Sequence, residues 1–181
     1  MRTLQLIIAI AIVSGCSSRT ESVEQATRQY FDVMRSGDYA AAAAMFDPAE
    51  LQSFRTSMSF LANLPPAARD ELYANFFGPE ATQESVDNLT NNEYFASVYS
   101  FAMMQSGMMQ VMNVADFEYL GHVMEGDDIA HAVTRLSVDT PDLNFENLSI
   151  ASYIRRGDHW KMRMSADIRG VAERLKSAIG Q

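Results

Sequence analysis

Along the first half of the chain apolar positions recur every three or four residues; along much of the second half they recur every two. Val23, Ala26, Tyr30 and Met34 mark one face of an amphipathic helix, and Gly37 stands where that helix should end. Asp38 is placed to cap the alanine run "YAAAAAMF", whose small side chains let a neighbouring helix come close. In "DPAE" an aspartate cap, a proline at the first helical position and a glutamate able to reach back predict another helix start, with Leu51, Phe54, Met58 and Leu61 as its buried face. Pro65 and Pro66 end that helix and open one through Leu72 and Phe76, which Gly78-Pro79 stops. "TNNE", Thr90 to Glu93, is a capping-box pattern ahead of one long apolar helix, "YFASVYSFAMMQSGMMQVM".

From residue 115 the period changes. "ADFEYLGHVM", "IAHAVTRLSV", "NLSIASYIRR" and "HWKMRMSAD" are rich in β-branched and aromatic residues, and two of the breaks between them carry Gly-Asp. With Gly126-Asp127 as the first turn, Glu118 faces Arg135, Tyr119 faces Thr134 and His122 faces His131. Gly157-Asp158 as another turn sets Arg155 opposite Trp160 and Tyr153 opposite Met162. Helical spacing returns at Ile168, Val171, Ala172, Leu175 and Ile179. Helices followed by hairpins make an α+β domain, with N-terminal helices packed on a mainly antiparallel curved sheet and a helix to close it.

The N-terminal residues follow neither period. Arg2 precedes "LQLIIAIAIV", which as a helix spans about 15 Å, half of a bilayer's hydrocarbon core of about 30 Å. A charge, a short apolar run and the small pair Ser14-Gly15 have the layout of an export signal. The next residue is the only cysteine of the chain. Val13 to Cys16, "VSGC", resembles the lipobox of bacterial lipoproteins. The resemblance implies a signal peptide over 1–15, acylation of Cys16, and a short tether over 16–22 ahead of a single domain, 23–181. It also implies several acyl chains, which hold a protein to a bilayer stably where one does so only marginally. Ser17 and Ser18 stand where many such proteins carry an inner-membrane retention aspartate, so the implied location is the outer membrane, facing the periplasm.

Charge narrows the partners. With 23 acidic and 14 basic residues the chain carries a formal −9, which disfavours nucleic acid and other polyanions. Once Cys16 is acylated no thiol remains for a disulfide, so the core must hold by packing.

"ATRQYFDVMRSGDYAAAAAMFDP", residues 26 to 48, resembles the opening of NTF2-like (cystatin-like cone) domains, and "YIRRGDHWKM" is similar to that superfamily's last hairpin. The resemblance implies a conical cavity between the first helix and the sheet, with residues 48–109 as a helical insertion that caps or fills it. The same fold hosts isomerases, dehydratases and non-enzymatic modules, so it does not itself name an activity.

The candidate chemistry follows from these placements. Tyr30, Met104, Met108 and Tyr153 are candidates to line an apolar pocket, in which thioethers adapt to varied guests. His122 and His131, paired across the first hairpin, are two ligands or an acid/base pair at most, since zinc needs a third protein ligand. Met103, Met104, Met108, Met109 and Met112 are either core or a thioether set for Cu(I). Tyr30 and Tyr153 with Asp32 offer a tyrosine and carboxylate pair for proton transfer. No Gly-rich phosphate loop, nucleophile elbow or Cys/His metal spacing is present, so neither a cofactor nor a resident metal is implied. The expectation is a non-catalytic module that binds a small apolar ligand or an envelope protein. The alternatives are a small-molecule isomerase or hydrolase, and a copper-handling protein.

Overall fold

The computed structural model describes residues 20–141 and 143–179, so Cys16, the signal segment and most of the tether lie outside the described residues. Helix α1 (Val23–Ser36) opens with a capping box between Ser22 and Gln25. It closes at Gly37, whose φ of 74° is left-handed and disfavours any residue with a Cβ. Asp38 accepts from the Ala41 N–H to start α2 (Tyr39–Ala44). Asp47 accepts from the Ala49 N–H to start α3 (Pro48–Ser57). A 3-10 turn (Ser59–Asn63) leads to α4 (Pro66–Phe77), then α5 (Gln83–Asp87), α6 (Asn91–Gln105) and α7 (Met108–Val114).

The sheet is antiparallel, open, and ordered as the chain runs: β1 (Asp116–Glu125), β2 (Ile129–Thr140), β3 (Leu143–Arg156) and β4 (His159–Met162). Helices α8 (Ala166–Arg169) and α9 (Val171–Ala178) end the described chain. The architecture is therefore α+β, with helices against an antiparallel sheet that does not close on itself. Two short segments tie the layers together. Met162 and Phe46 form a parallel bridge, in which the Asp47 N–H donates to the Met162 carbonyl and the Met162 N–H to the Met45 carbonyl.

Aromatic rings fill the helical layer. Phe95 on α6 meets Phe46 at 4.9 Å, Phe54 at 5.1 Å and Tyr99 at 5.2 Å between ring centroids. Edge-to-face and stacked pairs of this kind each add about 0.5–1.5 kcal/mol beyond burial. The alanines of α2 pack on α6, and Ala42 and Ala43 are wholly buried, as the close approach of the helices requires. Arg55 of α3 donates to the carbonyls of Val86, Asp87 and Leu89 at the C-terminal end of α5, where a cation is also favoured by the helix dipole.

The second hairpin has the register that its Gly-Asp turn predicts, with Arg155 opposite Trp160 and Tyr153 opposite Met162. The first does so only in part. Beyond Leu120 the pairs Tyr119 with Thr134 and Glu118 with Arg135 stand as expected, but between Tyr119 and Gly121 the ladder shifts. The turn is one residue longer than a Gly-Asp pair, closing with Glu125 opposite Ile129, and a bulge at Leu120 absorbs the difference. His122 therefore pairs with Ala132 and His131 with Val123, on opposite faces of the sheet. The expected His122/His131 cross-strand pair is not formed.

Three further expectations are corrected. The long apolar helix breaks at Gly107, whose φ of 69° cannot continue a helix, giving α6 and α7. Glu50 does not reach back to its cap; its carboxylate lies toward Arg163 and Arg169 instead. Strand β4 stops at Met162, because Ser165 caps α8 by accepting from the Ile168 N–H.

Candidate functional site

Alternation along the strands decides what the sheet turns toward α1. On the inner face β2 places Ala130, Ala132 and Thr134, while β3 places Ser149, Ala151 and Tyr153 opposite them. Most of these side chains are short. Helix α1 packs over them but cannot collapse onto them, because Phe46 and Phe117 hold its side chains off at either end: Phe46 meets Tyr30 at 5.8 Å and Phe117 stacks on Phe31 at 4.4 Å. A cavity of about 520 Å³ remains between the helix and the sheet. Volumes of about 300–1,000 Å³ are usual for small-molecule sites.

The cavity has an inner end and a mouth. Thr27, Tyr30, Phe46, Tyr99 and Tyr153 line the inner part, with Phe31, Met112 and Phe117 along one wall. At the mouth, exposed Asn147, Ser149, Ser165 and Arg169 surround half-exposed Arg163. The Tyr30 and Tyr99 hydroxyls bond each other at 2.9 Å. Tyr153 is 1 % exposed and, among the described residues, its hydroxyl has no partner at hydrogen-bond distance. The nearby Thr27 hydroxyl already donates to the Val23 carbonyl. Burial raises all three phenols: Tyr30 well above its ordinary value with Tyr99 adding to the effect, Tyr99 above its own despite the lowering by its hydrogen bond to Tyr30, and Tyr153 up to about 12. They are neutral hydroxyl donors at any physiological pH.

Of the residues expected at the pocket, the structure brings Tyr30 and Tyr153 to one cavity and leaves Met104 and Met108 outside it. Met104 is 61 % and Met108 39 % exposed. The helical period explains this, since Met103 faces the core and the next residue must face away, while the break at Gly107 swings Met108 to the surface. Met103 and Met112 pack with Met34 and Phe31 in a buried apolar cluster, so the five methionines expected as a thioether set are divided between core and surface. The methionines that line the cavity are Met112, Met162 and Met164, not Met104.

Asp32 lies in a separate notch with Arg28, Arg35 and Asp116. Among the described residues the cavity lining contains no carboxylate, imidazole or amine. The tyrosine and carboxylate pair of the isomerase alternative is therefore not assembled there. His131 sits on the outer face, between Ser152 at 2.9 Å and Glu125 at 3.0 Å, and His122 bonds the Tyr119 hydroxyl at the sheet edge. Among the described residues no group of three or more His, Cys, Asp or Glu side chains is placed to hold a metal ion.

No protein-family model, curated protein or solved structure matches the chain. The reading of the site rests on its own geometry.

Tyr99, Arg163 and Arg169 are site residues that the sequence pattern did not single out. Tyr99 was hidden in a helix whose apolar residues run all round it. Arg163 was hidden because "HWKMRMSAD" reads as a strand to its end, and Arg169 because it lies just past that run, in α8; the signal that marks the change is Ser165, a helix cap near the end of the run.

Proposed function

We propose that this chain is an envelope lipoprotein, anchored to the outer membrane through acylated Cys16, whose NTF2-like cone domain binds a small ligand without transforming it. The observation that carries the binding reading is the cavity itself: about 520 Å³, open at one end, rich in apolar and neutral hydroxyl groups, and with no acid/base pair or nucleophile among its described lining residues. The cone assignment is supported by a helix laid across the inner face of an antiparallel sheet with a cavity between. The anchoring is supported by the residues around Cys16.

Anchoring is tested by the intact mass of the membrane-bound protein. A chain that starts at Cys16 and carries acyl mass is expected, with Cys16→Ser accumulating as a precursor; a wild-type chain without acyl mass overturns it. Ligand binding is tested by native mass spectrometry of the full chain released from membranes, where a bound small molecule is expected. Ser149→Trp at the exposed mouth should abolish the adduct without disturbing the fold. A wild-type chain with no adduct and no thermal stabilisation by any apolar probe overturns it.

A second reading, in which a protein partner is bound, draws on the outer face of the sheet. There Val123, Leu148 and Ile150 are exposed around a salt-bridged Arg135. Replacing Val123 and Leu148, neither of which lines the cavity, by threonine would abolish partner binding and leave the adduct intact.

A further inference from the structure

Resting on the reading of the cavity as a ligand site, we propose that its ligand is a single-chain amphiphile with one anionic head, a carboxylate or a phosphate. The head is held at the mouth by Arg163 and Arg169, and the chain runs inward past Phe31, Phe117 and Phe46.

Charge is the first argument. The whole chain carries −9, yet the formally charged side chains that line the cavity, among the described residues, are two arginines and no acids. The second is that their donors are largely unspent. Glu50 stands 3.5 Å from Arg163 and 4.0 Å from Arg169, and neither guanidinium makes a hydrogen bond among the described residues. One carboxylate shared at those distances leaves a net positive charge and most of ten N–H donors without an acceptor. A guanidinium is suited to a planar carboxylate or a phosphate, which it binds through paired, charge-assisted hydrogen bonds.

Polarity along the cavity sets the rest of the ligand. Exposed Asn147, Ser149 and Ser165 at the mouth suit a hydrated head. Aromatic and thioether walls beyond them suit a hydrocarbon chain. The inner end carries neutral phenols, so a second charge there would be buried without a counter-ion, which excludes a molecule charged at both ends. A cationic head would meet two arginines, and a wholly neutral lipid would leave them unanswered.

The probes are decanoate, decyl phosphate and decanol, offered to the full chain in nanodiscs of zwitterionic lipid and read as adducts by native mass spectrometry. Both anions are expected to bind at least about tenfold more tightly than decanol, whichever of the two is stronger naming the head group. Arg163→Gln with Arg169→Gln should abolish that preference while decanol binding stays unchanged. Glu50→Gln should do the reverse, raising affinity for the anions several-fold by freeing the guanidiniums, a gain that misfolding cannot mimic. Equal binding of all three probes, or an anion preference that survives the double substitution or falls in Glu50→Gln, overturns the head-group assignment and leaves the cavity a ligand site. Failure of every probe to bind, with no difference between wild type and Ser149→Trp, overturns the ligand site as well.

Discussion

The helical layer and the sheet layer are built from residues of different size, and the difference accounts for where this molecule is solid and where it is hollow. In the helices, rings lock against rings around Phe95, with Phe46, Phe54 and Tyr99 in direct contact. On the inner face of the sheet, alanine, serine and threonine alternate inward while Ile129, Val133 and Ile150 take the outer positions. A sheet that turned its branched residues inward would bury more apolar area and leave no cavity. Here stability is concentrated in one layer, and the other keeps space open.

The sharpest way to break that contrast is to hollow the solid side. Phe95→Ala removes the centre of the aromatic cluster and is expected to lower the unfolding free energy by about 3–5 kcal/mol in urea titrations. A loss under about 1 kcal/mol would mean that the helical layer is not where stability resides.

Tyr30, Tyr99 and Tyr153 lie at the seam between the layers, and their effect comes at high pH. Each phenol sits above its ordinary value of 10.0 in the folded chain. The native state therefore holds protons that the unfolded state has lost. The associated stability is fully present below pH 10 and is lost as the pH rises through the folded values, for Tyr153 about 12. Stability should fall by about 1.4 kcal/mol per pH unit above pH 10 for each phenol still protonated. Tyr153→Phe should make that slope shallower and cost little near neutrality, because the hydroxyl it removes is buried without a partner among the described residues. Unfolding midpoints that stay flat from pH 9 to 11.5 would contradict the burial of these groups.

Asp47 tests the joint between the layers. It caps α3, pairs with Arg156 of β3 at 2.5 Å, and is 2 % exposed. Loss of the cap in Asp47→Ala is expected to cost about 1–2 kcal/mol by thermal unfolding at pH 7. Burial alone would raise this carboxyl, but the Arg156 guanidinium and the N–H groups at the start of α3 hold it below 3.8. Its contribution is present above that value and is lost as the pH falls through the folded one. The difference between Asp47→Ala and wild type should therefore shrink in acid; a difference that grows there would contradict the pairing.

The smallest effect belongs to the hollow side. Ala151→Leu places three more carbons into the cavity and is expected to change stability by less than about 1 kcal/mol in the same titrations, while reducing ligand uptake. A loss of several kcal/mol would show that the cavity wall is tightly packed.

What the sequence disclosed depends on whether a feature is local. The caps at Asp38, Asp47 and Thr90, the stop at Gly37 and the register of the second hairpin are each decided by residues a few positions apart, and each was legible. The first hairpin depends on loop length, and one added residue exchanged the faces of His122 and His131 relative to each other, with the compensating bulge invisible in the pairing pattern. The helix α5 behind Thr82 went unrecognised because its five residues carry no period. At the site, Tyr30 and Tyr153 were legible as inward positions of a helix and a strand. Tyr99 and the arginines arrive from elements whose approach only the packing determines.

Glu21 marks where the tether ends and the domain begins and, under the proposed anchoring, also sets how the domain faces the membrane. Placed in the sequence as part of a loose tether, it instead donates its N–H to the Asp158 carbonyl and accepts the Trp160 N–H on its carboxylate, moored to the turn between β3 and β4. Four residues, 17 to 20, then separate the mooring from Cys16, a span of at most about 18 Å when fully drawn out. If Cys16 is acylated as proposed, a domain held on so short a leash rides against the bilayer with that turn toward the headgroups. On that proposal, any ligand of the cavity would be delivered to the membrane surface or taken from it.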